Sequence, residues 1–199
     1  MNILITGGAG FVGSQVGHYL KKKGHTVYLF DNMSYGHEDN LIVDGEVIGE
    51  FIKGDIRECC YSILKENNIE VVLHFAGVAP LPDCQENPYN AIDNNVAGTA
   101  CILESCRLAG VRKVVFASTS ALYENCKNTP FIENQEVLNP DLIYSLTKLQ
   151  SELLCDSFVK NYSMDIVKLR FFNVYGPHQD FKRKQPPLMG YIIKSLLAE

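Results

Sequence analysis

The chain has 199 residues, of which 46% are hydrophobic and 21% charged, and carries a formal charge of −5 at pH 7. That length suits one domain or slightly more, and the acidic balance excludes the basic footprint of a nucleic-acid binder. Seven cysteines without a C-x-x-C spacing fit neither a disulfide framework nor a zinc site, so reduced thiols in a cytoplasmic protein with no metal are expected.

In chain order, Asn2 to Thr6 (NILIT) reads as a short apolar strand. With no basic n-region and with glycines breaking this apolar run, no signal peptide is expected. A helix follows to Lys23, closed by Gly24, and Thr26 to Asp31 (TVYLFD) is a second strand. Residues 32–50 read as polar and irregular, and Phe51 to Lys53 as a short third strand. A short helix is expected over Asp55 to Asn67, a buried strand over Glu70 to Ala76, and one long helix over Pro88 to Ala109. Arg112 to Ser118 is the fifth strand. Asn139-Pro140 offers a cap and first-turn proline for a helix to Asn161. Asp165 to Phe171 is the sixth strand, and Leu188 to Ala198 a last helix. Alternating strands and helices predict an α/β fold, a doubly wound parallel sheet of Rossmann type. No apolar run approaches the roughly 18 residues of a membrane span. The basic runs Lys21-Lys22-Lys23 and Lys182-Arg183-Lys184 read as solvated faces.

Between the first strand and helix lies TGGAGFVG, in which Gly7, Gly10 and Gly13 stand three apart. Such a loop lets backbone amides and a helix N-terminus approach a pyrophosphate. Asp31, at the end of the second strand, is the acid expected on a ribose 2′-hydroxyl, and it would repel a 2′-phosphate. No arginine is close by in sequence to accept that phosphate, so NAD is expected over NADP.

Four tyrosine–lysine pairs share an i, i+4 spacing: Tyr19/Lys23, Tyr61/Lys65, Tyr123/Lys127 and Tyr144/Lys148. Ten tyrosines and thirteen lysines would give fewer than one by chance, so spacing selects none of them. Position does. Ligands bind outside the carboxyl ends of the strands, where each helix begins. Tyr19 lies at the far end of its helix, Tyr61 lies off the cleft, and Lys127 falls in a loop. Tyr144 falls in the first turns of a helix with Lys148 one turn on, beside the strand that ends in Ser118-Thr119-Ser120.

Several stretches, in order, resemble the extended short-chain dehydrogenase/reductase superfamily and, within it, the NAD-dependent sugar epimerase/dehydratase family. They are the glycine loop, Gly54-Asp55-Ile56, HFAG at 74–77, NNVAGT at 94–99, ASTSALY at 117–123, YSLTK at 144–148 and RFFNVYGP at 170–177. The resemblance implies Ser120, Tyr144 and Lys148 as catalytic residues, with Thr119 the alternative hydroxyl one position away. It implies a cofactor site built from Gly7, Gly10, Phe11, Val12, Gly13, Asp31, Asn32, Asp55, Ile56, Phe75, Ala76, Gly77, Asn95, Ser118, Tyr144 and Lys148. Thr119 and Asn173 would meet the sugar nucleotide. Asn95 has the alternative of satisfying backbone groups, and Asn173 that of a turn former. Glu124 stands where the family usually has glycine. Ala121-Leu122 replaces the acid pair of a 4,6-dehydratase and the glutamate of a decarboxylase, and FDNMSYGHEDNL at 30–41 resembles epimerases. A nucleotide-sugar 4-epimerase acting on a UDP-sugar is therefore expected, as a homodimer through the helices at 88–109 and 140–161. Members of the family extend roughly a hundred residues further, so residues 172–199 are expected to begin a truncated substrate lobe. A dinucleotide-binding module without turnover is the rival reading.

Overall fold

The computed structural model describes residues 1–134, 138–180 and 186–197. The basic run at 182–184 and the expected helix end at Ala198 lie outside them. The main sheet has six parallel strands in the order β5-β2-β1-β6-β7-β8, built from β1 (Asn2–Thr6), β2 (Thr26–Asp31), β5 (Glu50–Lys53), β6 (Val71–His74), β7 (Lys113–Thr119) and β8 (Ile166–Phe171). The strand order reverses between β1 and β6, which pair from Ile3 against Val71 to Thr6 against His74. At this switch point two loops diverge and leave a crevice.

Side-chain alternation along the strands sorts the core into two layers. Leu4, Val72, Val114 and Phe116 pack with Ile102, Leu103 and Cys106 of α5 (Gly98–Ala109) and Cys155 of α6 (Ile143–Tyr162). Ile3, Ile5, Val27, Leu29 and Leu73 face the other way, against Val16 and Leu20 of α1 (Phe11–Lys22). Within the stretch read as irregular, a two-stranded hairpin forms from β3 (Ile42–Val43) and β4 (Glu46–Val47). The helix expected over 55–67 shrinks to α2 (Tyr61–Glu66), because Asp55 turns back to accept from the Arg57 amide.

The long helix expected over 88–109 is three pieces: α4 (Pro88–Ile92), a π turn over Asp93–Ala97, and α5, preceded by the unforeseen α3 (Leu81–Glu86). The π turn has a local cause. The Asn95 carbonyl is taken by the hydroxyls of Thr99 at 2.6 Å and Ser151 at 2.8 Å, and a carbonyl diverted to side chains opens the helical ladder.

The α6 helix starts at Ile143, three residues beyond the Asn139-Pro140 signal. Its N-cap position is Leu142, which has no side-chain oxygen to offer. Distant residues cap it instead. The Glu124 carboxylate accepts from the amides of Asp141 (2.5 Å) and Leu142 (3.0 Å), and Gln85 accepts from Ile143 (2.9 Å).

Beneath β8 lies a buried ion pair. Arg170 donates to both oxygens of Glu152 at 3.0 and 2.8 Å, and Ser118 adds a third bond at 2.5 Å. Burial pushes the Glu152 carboxyl up, but the bonds from Arg170 and Ser118 outweigh it and hold the group below its usual range. Arg170→Met strands the carboxylate and is expected to cost about 3–5 kcal/mol in urea unfolding at neutral pH. A depressed folded pKa means that the stability is present above the unfolded carboxyl pKa and is lost as pH falls through the folded one. The deficit of Arg170→Met should therefore narrow in acid. A deficit that stays constant down to acid would contradict this assignment.

Candidate active site

The crevice at the switch point is lined by Gly7, Gly10, Phe11, Val12, Gly13, Asp31, Asn32, Ile56, Phe75, Ala76 and Gly77, all residues expected to hold a cofactor. It encloses about 380 Å³. Gly7 has φ +70°, and a Cβ there would lie 2.8 Å from the Ala76 nitrogen; a Cβ at Gly13 would lie 2.2 Å from the Gly7 carbonyl oxygen. Where they leave β1 and β6, before they diverge, the two loops touch backbone to backbone at Gly7 and Ala76, which only glycine permits. The N-cap of α1, Gly10, brings no side-chain cap, and the first turn holds no acid. Its free amides and positive dipole end suit a diphosphate.

Asp31 is held in place by the amides of Ala9 (3.0 Å) and Met33 (2.8 Å), one on each carboxylate oxygen. The remaining lone pairs can accept from ribose hydroxyls. An arginine, unexpectedly, does line the cleft: Arg57. Its guanidinium is already committed, to Asp55 at 2.7 Å and to Asp93 at 2.9 Å. The Arg57 bonds, joined by one from Asn32, hold the Asp55 carboxyl far below its usual range against the effect of burial. The carboxylate of Asp55 therefore braces its loop, while its neighbours Gly54 and Ile56 line the cleft.

Eight expected site residues stand apart from the lining: Asp55, Asn95, Ser118, Ser120 and Asn173, and the group Thr119, Tyr144 and Lys148. Asn95 is buried, its oxygen accepting from the Val78 amide at 2.8 Å and its nitrogen donating to Val78 and Thr147, both at 3.0 Å. It satisfies backbone groups and clamps the loop after β6 to α6, which fits the alternative given for it above. Ser118 is used by Glu152. Asn173 is exposed in a bend after β8. Ser120 opens a 3-10 turn over Ser120–Tyr123, one residue past the end of β7.

The hydroxyl that bears electrostatically on the Tyr144 phenol is that of Thr119, the last residue of β7. Burial raises the phenol's pKa above its ordinary value, the Thr119 hydrogen bond lowers it, and the nearby Cys84 thiol of α3 raises it. Lys148, one turn along α6, is almost fully buried. Its Nζ donates to the Ala117 carbonyl at 2.8 Å and sits 4.9 Å over the Phe116 ring. Burial pulls its pKa down to about 8, so it is still largely a cation at neutral pH. A Cβ on Gly77 would lie 3.5 Å from that nitrogen, which places the charge directly behind the cleft wall.

The other three tyrosine–lysine pairs lead elsewhere. Lys23 lies over the exposed Tyr19 ring, 5.4 Å from its centre. Tyr61 begins the short α2, on the surface. The Tyr123 ring stacks on Phe131, and its hydroxyl accepts from Arg170 at 2.6 Å.

One element of the site, a relay through His74, was not foreseen. Thr99 spends its proton on Asn95, so it must accept from His74 Nε2–H at 3.0 Å. His74 Nδ1 then accepts from Thr6 at 2.7 Å, and the Thr6 oxygen accepts from the Ala76 amide at 3.2 Å. Burial, then the Lys148 charge, push the His74 pKa down to about 3, so the imidazole is neutral. This relay pins the Ala76 loop to the π turn. A histidine within an apolar strand does not announce such a role.

A family model described as the NAD dependent epimerase/dehydratase family matches residues 3–199. The UDP-glucose 4-epimerase of Erwinia amylovora is 31% identical over 94% of this chain and 57% of its own length. The solved UDP-glucose 4-epimerase of Thermotoga maritima with UDP-glucose superposes with a TM-score of 0.93 at 32% identity, over 100% of this chain and 63% of that one. That of Thermus thermophilus in complex with NAD gives 0.84 at 32% identity, over 92% and 59%. The chain thus spans somewhat more than half the length of these relatives, and no helix among the described residues is long and apolar enough to cross a membrane. With the glycine cradle, Asp31 and the Thr119–Tyr144–Lys148 cluster on one sheet edge, this match shows that the chain belongs to the NAD dependent epimerase/dehydratase family.

Proposed function

We propose that this chain forms the NAD-binding, catalytic half of a nucleotide-sugar 4-epimerase acting on a UDP-sugar. The observation that carries the reading is the Thr119–Tyr144–Lys148 cluster next to a dinucleotide cradle, with Ser120 and Ala121, neither of them an acid, directly after the Thr119 hydroxyl where an elimination or a decarboxylation would need acids. NAD is favoured over NADP because Asp31 occupies the ribose end and Arg57 is already paired.

Gly7, Gly10, Gly13 and Asp31 would hold NAD+, which when bound would supply a hydride acceptor and donor for sugar C4. Tyr144 accepts the proton of the C4 hydroxyl and gives it back when the 4-keto sugar is reduced on its other face. Thr119 orients that hydroxyl. Lys148 supplies a fixed positive charge behind Gly77, near where the nicotinamide ribose would lie, and this favours the phenolate. Residues 172–197 would begin the sugar-nucleotide lobe; Phe172, Val174 and Tyr175 there are exposed, as are the apolar side chains of α7 (Leu188–Leu196). Leu108 of α5 and Leu146, Leu153 and Val159 of α6 are exposed too, and suit a homodimer through these helices.

The test is to titrate the chain with NAD+ by calorimetry, then to incubate the complex with UDP- and dTDP-sugars and identify the products. The 4-epimer of a UDP-sugar is the expected product. Loss of water or CO₂ would sink the epimerase assignment, and binding without turnover would favour the module reading suggested by the partial span. Thr119→Val should cut turnover about tenfold or more, as expected for an orienting hydroxyl, whereas Ser120→Ala should stay within about threefold. The reverse order would return the role to Ser120.

A further inference from the structure

The segment after β7 holds two attachments five residues apart. Thr119 bears electrostatically on the Tyr144 phenol, and its Oγ1 accepts from the Ala121 amide at 3.1 Å at the start of the turn. Glu124 reaches the same helix from the far end of the intervening 3-10 turn. Its Oε1 accepts from the Asp141 and Leu142 amides, and its Oε2 accepts from the Ser145 hydroxyl at 3.0 Å. Tyr144 thus stands between Ile143, fastened by Gln85, and Ser145, fastened by Glu124. The turn, the carboxylate and the first turn of α6 close a small frame whose open side is the Thr119–Tyr144 contact.

We propose that Glu124 is a positioning residue: by tying the start of α6 to the turn after β7, it sets the approach of the Thr119 hydroxyl to the Tyr144 phenol. The inference rests on the reading of Tyr144 as the catalytic base. A carboxylate suits the place for two reasons. Leu142 cannot cap the helix, and four amides at a helix start need acceptors. A negative charge there is also favoured by the helix dipole. Besides Thr119 of β7, the titratable group that bears on the phenol is Cys84 of α3, while Lys148 lies one turn along the phenol's own helix with its Nζ on the Ala117 carbonyl.

The test needs no turnover, so it stands apart from the fate of the sugar. The full chain is labelled with fluorotyrosine, which brings phenols into a pH range that a folded protein tolerates, and Tyr144 is followed by ¹⁹F NMR with Tyr144→Phe for assignment. In Glu124→Ala the Tyr144 signal should titrate at higher pH than in the wild type, because the lowering bond from Thr119 is lost. Thr119→Val should give the same upward shift, and the double variant no more than either single one. Glu124→Gln keeps an acceptor oxygen for the two amides and should restore the wild-type titration. A folded Glu124→Ala with an unshifted Tyr144, or single shifts that add in the double variant, would overturn the proposal. Should Glu124→Ala not fold, Ser145→Ala removes one arm of the frame alone: an upward shift supports the proposal, and no shift overturns it. If the shifts appear but no sugar is epimerised, the positioning role stands and the reaction assignment fails.

Discussion

Tyr144→Phe is expected to lower UDP-sugar interconversion about 10²–10⁴-fold, the usual worth of a positioned general acid–base group. That corresponds to roughly 3–5 kcal/mol of transition-state stabilisation. The substitution removes one oxygen, and the ring stays in its contact with Val78, Cys84 and Ala91. Folding and NAD+ affinity should therefore hold to within about threefold, since the cofactor cradle is made by β1, β2 and β6. The pH dependence follows from the active form. Burial raises the phenol and Thr119 counters it; the phenolate accepts the proton, so wild-type turnover should rise with pH through the Tyr144 titration. Steady-state kinetics across pH, paired with calorimetry for NAD+, would check both halves. A Tyr144→Phe variant with near-normal turnover would remove the base assignment altogether.

The second large effect belongs to the cradle. Gly7→Ala would place a methyl group 2.8 Å from the Ala76 nitrogen, on a backbone whose φ of +70° already disfavours a side chain. The left-handed conformation alone costs about 1–2 kcal/mol, and forcing the two loops apart adds about 1–3 kcal/mol. Because the separated loops are the ones that would grip the diphosphate, NAD+ affinity is expected to fall about 10–100-fold or more, with a lowered Tm. Gly24→Ala is the contrast: Gly24 also has positive φ, but a Cβ there meets nothing within 4 Å. It should lower Tm modestly and leave NAD+ affinity unchanged. Equal losses of affinity in both variants would mean that Gly7 matters for folding alone.

The sheet was legible because strand and helix periods alternate cleanly, and because the glycine loop, Asp31 and the apolar strands sit where a β-α-β unit requires them. The place of Tyr144 in the first turn of α6 was legible, since helices begin at the carboxyl edge of the sheet. What escaped was set by contacts distant in sequence. Asn139-Pro140 is a sound local start signal, yet α6 starts at Ile143 because Glu124 and Gln85 cap it there. The break in the 88–109 helix depends on Ser151, 56 residues from Asn95. Ser118-Thr119-Ser120 offers three hydroxyls in a row, and alternate strand residues face opposite ways. One residue of uncertainty about where β7 ends therefore decides between a bond to Glu152, a contact with Tyr144 and the opening of a turn. The pairing of Arg57 with Asp55 and Asp93 was likewise invisible, since Asp93 is remote in sequence.

The central claim is that the hydrogen at sugar C4 leaves and returns within one site. The most direct measurement incubates the NAD+ complex with a UDP-sugar deuterated at C4, and follows both the reduced-nicotinamide absorbance and the label in the recovered 4-epimer. Transient reduced nicotinamide with deuterium retained at C4 is predicted, and both should be absent with Tyr144→Phe. An epimer that has exchanged its C4 label with solvent, formed without any reduced nicotinamide, would contradict the account.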